Sequence, residues 1–89
     1  RPVHARGTPR ALVAPNPFGQ RLSVFLEHAP DDEARIAIRD VSGKTVWSAT
    51  RKLSIGENIL FEHNQLPPGF YALEIRSKSG VGVWKLVRE

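Results

Sequence analysis

The sequence contains no cysteine. This absence excludes a disulfide framework, a zinc site built on thiolates and a cysteine nucleophile. It leaves the cellular compartment open, because domains without cysteine occur in both oxidising and reducing compartments.

Long apolar runs are also lacking. The longest apolar stretches, such as Ile59-Leu60-Phe61, are far shorter than the roughly 20 residues that a membrane-spanning helix needs. No charged segment followed by an apolar one resembles a signal peptide. Because the chain begins with Arg1 instead of methionine, we expect it to be cut from the end of a larger protein whose export signal lies upstream.

The formal net charge of +4 is unevenly distributed. Three of the basic residues, Arg1, Arg6 and Arg10, fall within residues 1–10, which leaves ten basic and nine acidic residues in the remainder. The basicity therefore belongs mostly to the first segment, and no nucleic-acid partner is predicted. Residues 1–10 also hold two prolines and a glycine, so they are predicted to form a linker or leading arm. The folded domain is predicted at residues 11–89.

Residues 11–89 show the pattern of an all-β domain. Short runs of alternating or β-branched residues are separated by turn signals, and no segment has the periodicity of a long helix. The predicted fold class is all-β, an immunoglobulin-like antiparallel β-sandwich of about seven strands. The strands are predicted at residues 11–14, 20–27, 35–40, 45–53, 59–63, 70–76 and 81–88.

Proline and glycine mark the turns between these strands. Pro15-Asn16-Pro17 lacks two backbone donors, which indicates a turn or a sheet edge. Residues 40–44 are predicted to form a hairpin turn, because Gly43 can adopt a positive φ without strain. Residues 54–58 and residues 66–69 are predicted to form two further turns.

The motifs occur in an order that is known from one family. They are Pro15-Asn16-Pro17-Phe18, the strand, turn and strand from Ile36 to Val46, the turn Gly56-Glu57-Asn58, the corner Leu66-Pro67-Pro68-Gly69-Phe70-Tyr71-Ala72-Leu73 and the ending Lys85-Leu86-Val87-Arg88-Glu89. Together they resemble the C-terminal sorting domain of the type IX secretion system. The resemblance covers residues 14–89. It departs from the family at His63-Asn64-Gln65, which lacks an acidic residue often found before the corner, and at Glu89, which makes the end less basic.

The resemblance implies a secretion signal and not an enzyme. Such a domain directs an attached cargo protein from the periplasm across the outer membrane, to the cell surface or the medium. The implied partners are the type IX translocon and its shuttle components, and a surface sortase that usually removes the domain and joins the cargo to an anionic lipopolysaccharide. A homodimer is an open alternative.

The resemblance also implies which residues form the sorting motif or are recognised. They are Pro15, Asn16, Pro17, Asp40, Gly43, Gly56, Leu66, Pro67, Gly69, Tyr71, Leu73, Lys85, Leu86 and Val87. Structural explanations stay open beside recognition. Tyr71 is predicted to donate its hydroxyl to a backbone group a few residues upstream, as in a tyrosine corner. The first motif can act as a rigid turn, and Lys85 can protect an edge strand.

No catalytic residue, cofactor or metal site is predicted. His4, His28 and His63 have no second ligand at a spacing typical of metal sites, and no nucleophile or paired-carboxylate pattern is present. The alternative function is a retained β-sandwich module for adhesion or interaction, which binds glycan, belongs to a surface complex or serves as a sensor ligand. An exposed row of aromatic residues would favour it, and the candidates are Trp47, Trp84, Phe25 and Phe70.

Overall fold

The computed structural model describes residues 11–30, 32–78 and 80–89, and the predicted arm at residues 1–10 lies outside them. The described part of the chain contains seven strands and no helix, so no helix there could span a membrane. The strands are β1 (Ala11–Ala14), β2 (Leu22–Leu26), β3 (Ala34–Asp40), β4 (Thr45–Arg51), β5 (Gly56–Phe61), β6 (Gly69–Ser77) and β7 (Gly80–Arg88).

The strands form two antiparallel sheets. Sheet A has the order β1-β2-β5, and sheet B has the order β4-β3-β6-β7. One parallel bridge, between Phe18 and Arg88, connects the segment after β1 to the edge of sheet B. This arrangement confirms the predicted all-β sandwich of about seven strands.

Alternating side chains of both sheets form the core. In β3, Ile36 and Ile38 are buried while Arg35 is exposed, as the two-residue period of a strand requires. Leu73 and Ile75 of β6 lie directly opposite Ile38 and Ile36 and are also fully buried. Burial of this apolar surface is the main stabilising contribution to a domain of this size.

Several strand boundaries differ from the predicted ones by one to three residues, and two of these differences are the most informative. β2 begins at Leu22 instead of residue 20, and β5 covers Gly56–Phe61 instead of residues 59–63. The second difference follows from Asn58, whose side-chain amide binds both Ser54 N–H (2.8 Å) and Ser54 C=O (2.9 Å). Because the side chain closes this turn, the backbone from Gly56 onward is free to pair with β2.

Candidate functional site

The turn at Pro15-Asn16-Pro17 lies against the outer edge of β7. The Asn16 side-chain amide donates to Lys85 C=O at 3.0 Å, and Val87 N–H donates to the Asn16 carboxamide oxygen at 3.0 Å. A carboxamide offers the donor and acceptor of a peptide group, so Asn16 pairs with β7 as a neighbouring strand would. Both peptide bonds preceding these prolines are cis.

Phe18 continues this attachment and also enters the core. Its N–H donates to Val87 C=O at 2.8 Å, and Glu89 N–H donates to Phe18 C=O at 2.9 Å. The Phe18 ring is fully buried, with its centroid 6.2 Å from that of Phe61 and 6.4 Å from that of Tyr71. The first sequence motif therefore holds the last residues of β7 through both backbone and side chain.

The corner before β6 is a tyrosine corner. The Tyr71 hydroxyl donates to Pro67 C=O at 2.5 Å, four residues upstream, which is the hydrogen bond predicted from the sequence. Gly69 starts β6 with a φ of 151°, a conformation that favours glycine. The bond fixes the path of the chain between Leu66 and the start of β6.

Replacing Tyr71 by phenylalanine is expected to lower the free energy of unfolding by about 1 kcal/mol, because one hydrogen bond is lost while the ring stays in place. Denaturation in urea measures this difference. An unchanged midpoint would show that the hydroxyl contributes nothing to holding the corner.

Asn64 connects three segments of this region, and sequence reasoning missed it. Its side-chain amide donates to Gly19 C=O (2.7 Å) and Gln20 C=O (2.8 Å). Its oxygen accepts from Leu66 N–H (3.0 Å) and from Arg88 Nε (3.0 Å). A carboxylate at this position could also accept these bonds, but it would lack the donors that the carboxamide directs to Gly19 and Gln20. An asparagine two residues before Leu66 is typical of an Asx turn, and this was the available sequence signal.

The turn between β3 and β4 is organised by Asp40. One carboxylate oxygen accepts from Ser42 Oγ (2.6 Å), Ser42 N–H (2.9 Å) and Lys44 N–H (3.1 Å). The Ser42 hydroxyl is the largest cause that lowers the pKa of Asp40, and the two N–H groups and the Lys44 charge act in the same direction. Gly43 has a φ of 88°, as the predicted hairpin turn requires.

A shallow depression of about 480 Å³ lies where this turn, the corner and β7 meet on the outer face of sheet B. It is lined by Asp40, Val41, Phe70, Tyr71, Ala72, Lys85, Leu86 and Val87. Two of the lining side chains are large, apolar and mostly exposed: Val41 at 84% and Phe70 at 69%. The depression therefore presents apolar surface beside one exposed lysine.

The structure brings together most of the predicted recognition residues, but not all as surface. Asp40, Tyr71, Lys85 and Val87 contribute to the depression. Leu66, Pro67 and Gly69 form the adjacent corner, and Gly43 lies in the neighbouring turn. Asn16, between Pro15 and Pro17, binds the edge of β7.

Three of the predicted residues have a different position. The side chains of Leu73 and Leu86 belong to the core, with no exposed area. Gly56 pairs with Leu26 in sheet A and does not line the depression. Only the exposed residues of the set are therefore candidates for direct contact with a partner. Leu73 and Leu86 are buried and contribute to the packing of the core.

A second depression, of about 380 Å³, lies beside the first on sheet B and is rich in charge. Glu74 accepts hydrogen bonds there from the guanidinium groups of Arg39 and Arg76. The pKa of Glu74 is lowered mainly by the hydrogen bond from Arg39. The hydrogen bond from Arg76 lowers it further. These charges pair with one another and stabilise the sheet face.

The aromatic residues do not form one exposed row. Trp47 and Trp84 pack against the core. Phe25 lies opposite Leu12 in sheet A, whereas Phe70 lies opposite Val87 in sheet B. Among residues 11–30, 32–78 and 80–89, no group of three potential ligands could hold a metal ion; His4 lies outside these residues.

The fold and the site define an immunoglobulin-like β-sandwich domain in which separate sequence motifs build one surface around the end of β7. The family model for the secretion system C-terminal sorting domain matches residues 12–89. The chain therefore belongs to this family, and it is a C-terminal sorting signal of the type IX secretion system. This family consists of sorting domains and not of enzymes. No curated protein sequence matches the chain.

Proposed function

We propose that the secretion machinery recognises this chain by the surface around the depression, namely the β3–β4 turn, the corner and the exposed side of residues 85–87. The domain directs an attached cargo from the periplasm to the outer membrane and through the translocon. A surface sortase then removes the domain, with residues 1–10 as the linker that it reaches, and joins the cargo to an anionic lipopolysaccharide.

The observation that carries the proposal is the convergence of the motifs. Residues separated by most of the chain, such as Asn16 and Lys85, are in direct contact, and the corner and the β3–β4 turn border the same depression. If the β3–β4 turn only connected its two strands, it would have no need to lie beside the corner and β7. A shared surface is what a partner that binds the folded domain requires.

The exposed apolar side chains give this surface its affinity. Phe70 and Val41 are both mostly exposed, although their burial in the domain would be favourable. Apolar patches bordered by polar groups are typical of docking sites. Aromatic residues at the centre of such patches often contribute most of the binding free energy.

Deleting residues 85–89 would not separate recognition from folding. The deletion removes Leu86 from the core and also the groups of β7 that bind Asn16 and Phe18. A test of recognition therefore needs substitutions that change only exposed side chains.

Phe70→Gln is such a substitution, and Val83→Gln is its matched control. Both positions lie on the outer face of sheet B and are mostly exposed, at 69% and 60%, but only Phe70 lines the depression. With a periplasmic reporter fused ahead of residues 1–89, we expect Phe70→Gln to reduce surface display at least about tenfold, as the loss of an interface anchor would. We expect Val83→Gln to be displayed like the unchanged domain.

Protease accessibility of the reporter measures display, and circular dichroism of the purified domains confirms that both variants fold. Equal display of the two variants would contradict recognition through the depression. The mass of the displayed reporter tests cleavage separately. A reporter that keeps the whole domain would show that the proposed sortase step does not occur, while the recognition surface could still be correct.

A further inference from the structure

The charge-rich depression on the outer face of sheet B presents mostly positive charge. It is lined by three arginines and one glutamate, namely Arg35, Arg39, Arg76 and Glu74. Only 16% of the Glu74 side chain is exposed, against 40% for Arg39 and 57% for Arg76. The two guanidinium groups therefore cover the carboxylate, and a partner that approaches this face meets the positive charges first.

Arg35 adds a positive charge that has no counterion. It lies directly opposite Arg76 on the neighbouring strand, and within the described part of the chain it forms no ion pair. Like charges directly opposite each other destabilise a sheet. Residues 11–89 hold ten basic and nine acidic residues, so their charges nearly balance. The excess of two positive charges in this depression is therefore a local feature and does not reflect a basic domain.

The positive surface is continuous with the apolar depression. Arg39 lies opposite Ala72, and Ala72 lies opposite Lys85, which lines the apolar depression together with Phe70. One row across three strands thus connects the two depressions. The apolar depression is lined by eight residues, whereas a stable protein interface involves about 20 to 30 residues on each side. A partner that binds there stably must also cover neighbouring parts of this face.

We infer that the partner that recognises the apolar depression also presents an acidic protein surface, which binds over Arg35, Arg39 and Arg76. The inference rests on the proposed function and adds the chemistry of the partner. Arg35 and Arg39 are separated by about 13 Å along β3, which is further than one small anion spans. The hydroxyl groups of β4 in the same depression can donate hydrogen bonds to the same carboxylates. Charge complementarity of this kind speeds association and selects the correct partner.

The test measures the initial rate at which the fused reporter reaches the cell surface, from its protease accessibility at successive times. The double variant Arg35→Gln/Arg76→Gln removes two positive charges, and we expect the rate to fall at least about tenfold. The double variant Arg35→Lys/Arg76→Lys keeps both charges and should stay within about twofold of the unchanged domain. Circular dichroism of the purified domains confirms folding, which we expect because both side chains are exposed.

Arg21→Gln is the matched control for the single variant Arg76→Gln. The two arginines are exposed to a similar degree, at 51% and 57%, and each donates to a glutamate at 2.9 Å. Arg21 binds Glu57 of sheet A and so lies outside the positive surface. We expect Arg76→Gln to slow display and Arg21→Gln to leave it unchanged.

An unchanged rate for the double glutamine variant, with Phe70→Gln still poorly displayed, would overturn the acidic partner and leave the proposed function intact. An equally slow double lysine variant would also overturn it, because charge would not be the recognised property. Purified domain that sediments with phosphatidylglycerol vesicles, and no longer does so as the double glutamine variant, would assign this face to a membrane surface instead. If the unchanged domain were not displayed, the proposed function would fail, and this inference with it.

Discussion

Replacing Leu86 by alanine is expected to lower the free energy of unfolding by about 3 kcal/mol. The side chain of Leu86 has no exposed area, and it lies on β7 opposite Tyr71. The substitution removes apolar contacts and leaves a cavity that the surrounding side chains fill only in part. A domain of this size is stable by roughly 4 to 12 kcal/mol, so the loss is a large fraction of the total.

Val83→Ala is the matched control, because Val83 lies on the same strand but is 60% exposed on the outer face. Its effect should stay within about 0.5 kcal/mol. Urea denaturation of the two variants gives both values. If Leu86→Ala lowered the free energy of unfolding by less than about 1 kcal/mol, the assignment of Leu86 to the core would be wrong. Direct contact of its side chain with a partner would then be the better explanation.

Replacing Asn64 by alanine is expected to cost about 2 to 3 kcal/mol, because its side chain makes hydrogen bonds to several segments, each worth about 1 kcal/mol and not fully additive. The substitution leaves the carbonyl groups of Gly19 and Gln20, Leu66 N–H and the Arg88 side chain without this partner. Thermal or urea unfolding measures the loss. Gln65→Ala, at the exposed neighbouring position, serves as the control and should have little effect.

Asn64→Asp separates the donors of this side chain from its acceptor. The aspartate keeps the oxygen that accepts from Leu66 N–H and Arg88 Nε, but it cannot donate to the two carbonyl groups. We expect it to be less stable than the unchanged domain by at least about 1 kcal/mol at neutral pH. Full stability of Asn64→Asp would mean that the bonds to Gly19 and Gln20 contribute nothing.

The fold could be predicted because its signals are local. The alternation around Ile36 and Ile38 indicates a strand with one buried face, and Gly43 allows the hairpin turn that follows. Tyr71 after the proline-rich corner predicted a hydrogen bond only a few residues upstream, which the structure contains. The start of β5 was not predicted, because the Asn58 side chain replaces backbone bonds that a turn would otherwise make.

The assembly of the site could not be predicted in the same way. Asn16 contacts Lys85 and Val87, which lie 69 and 71 positions further along the sequence. These contacts depend on which strand lies at the edge of sheet B and on its register, and no local pattern specifies either. The position of Leu86 in the core likewise follows from the side of β7 that faces inward. Motif resemblance identified these residues without distinguishing those that contact a partner from those that hold the fold.

The most direct test of the sorting function is the display of a reporter fused ahead of residues 1–89 in a bacterium with an active type IX system. The same fusion is expressed in a strain that lacks the translocon. We predict reporter at the surface of the first strain, accessible to added protease, and reporter confined to the periplasm of the second. A folded fusion that stays in the periplasm of both strains would contradict the assignment of this domain as a sufficient sorting signal.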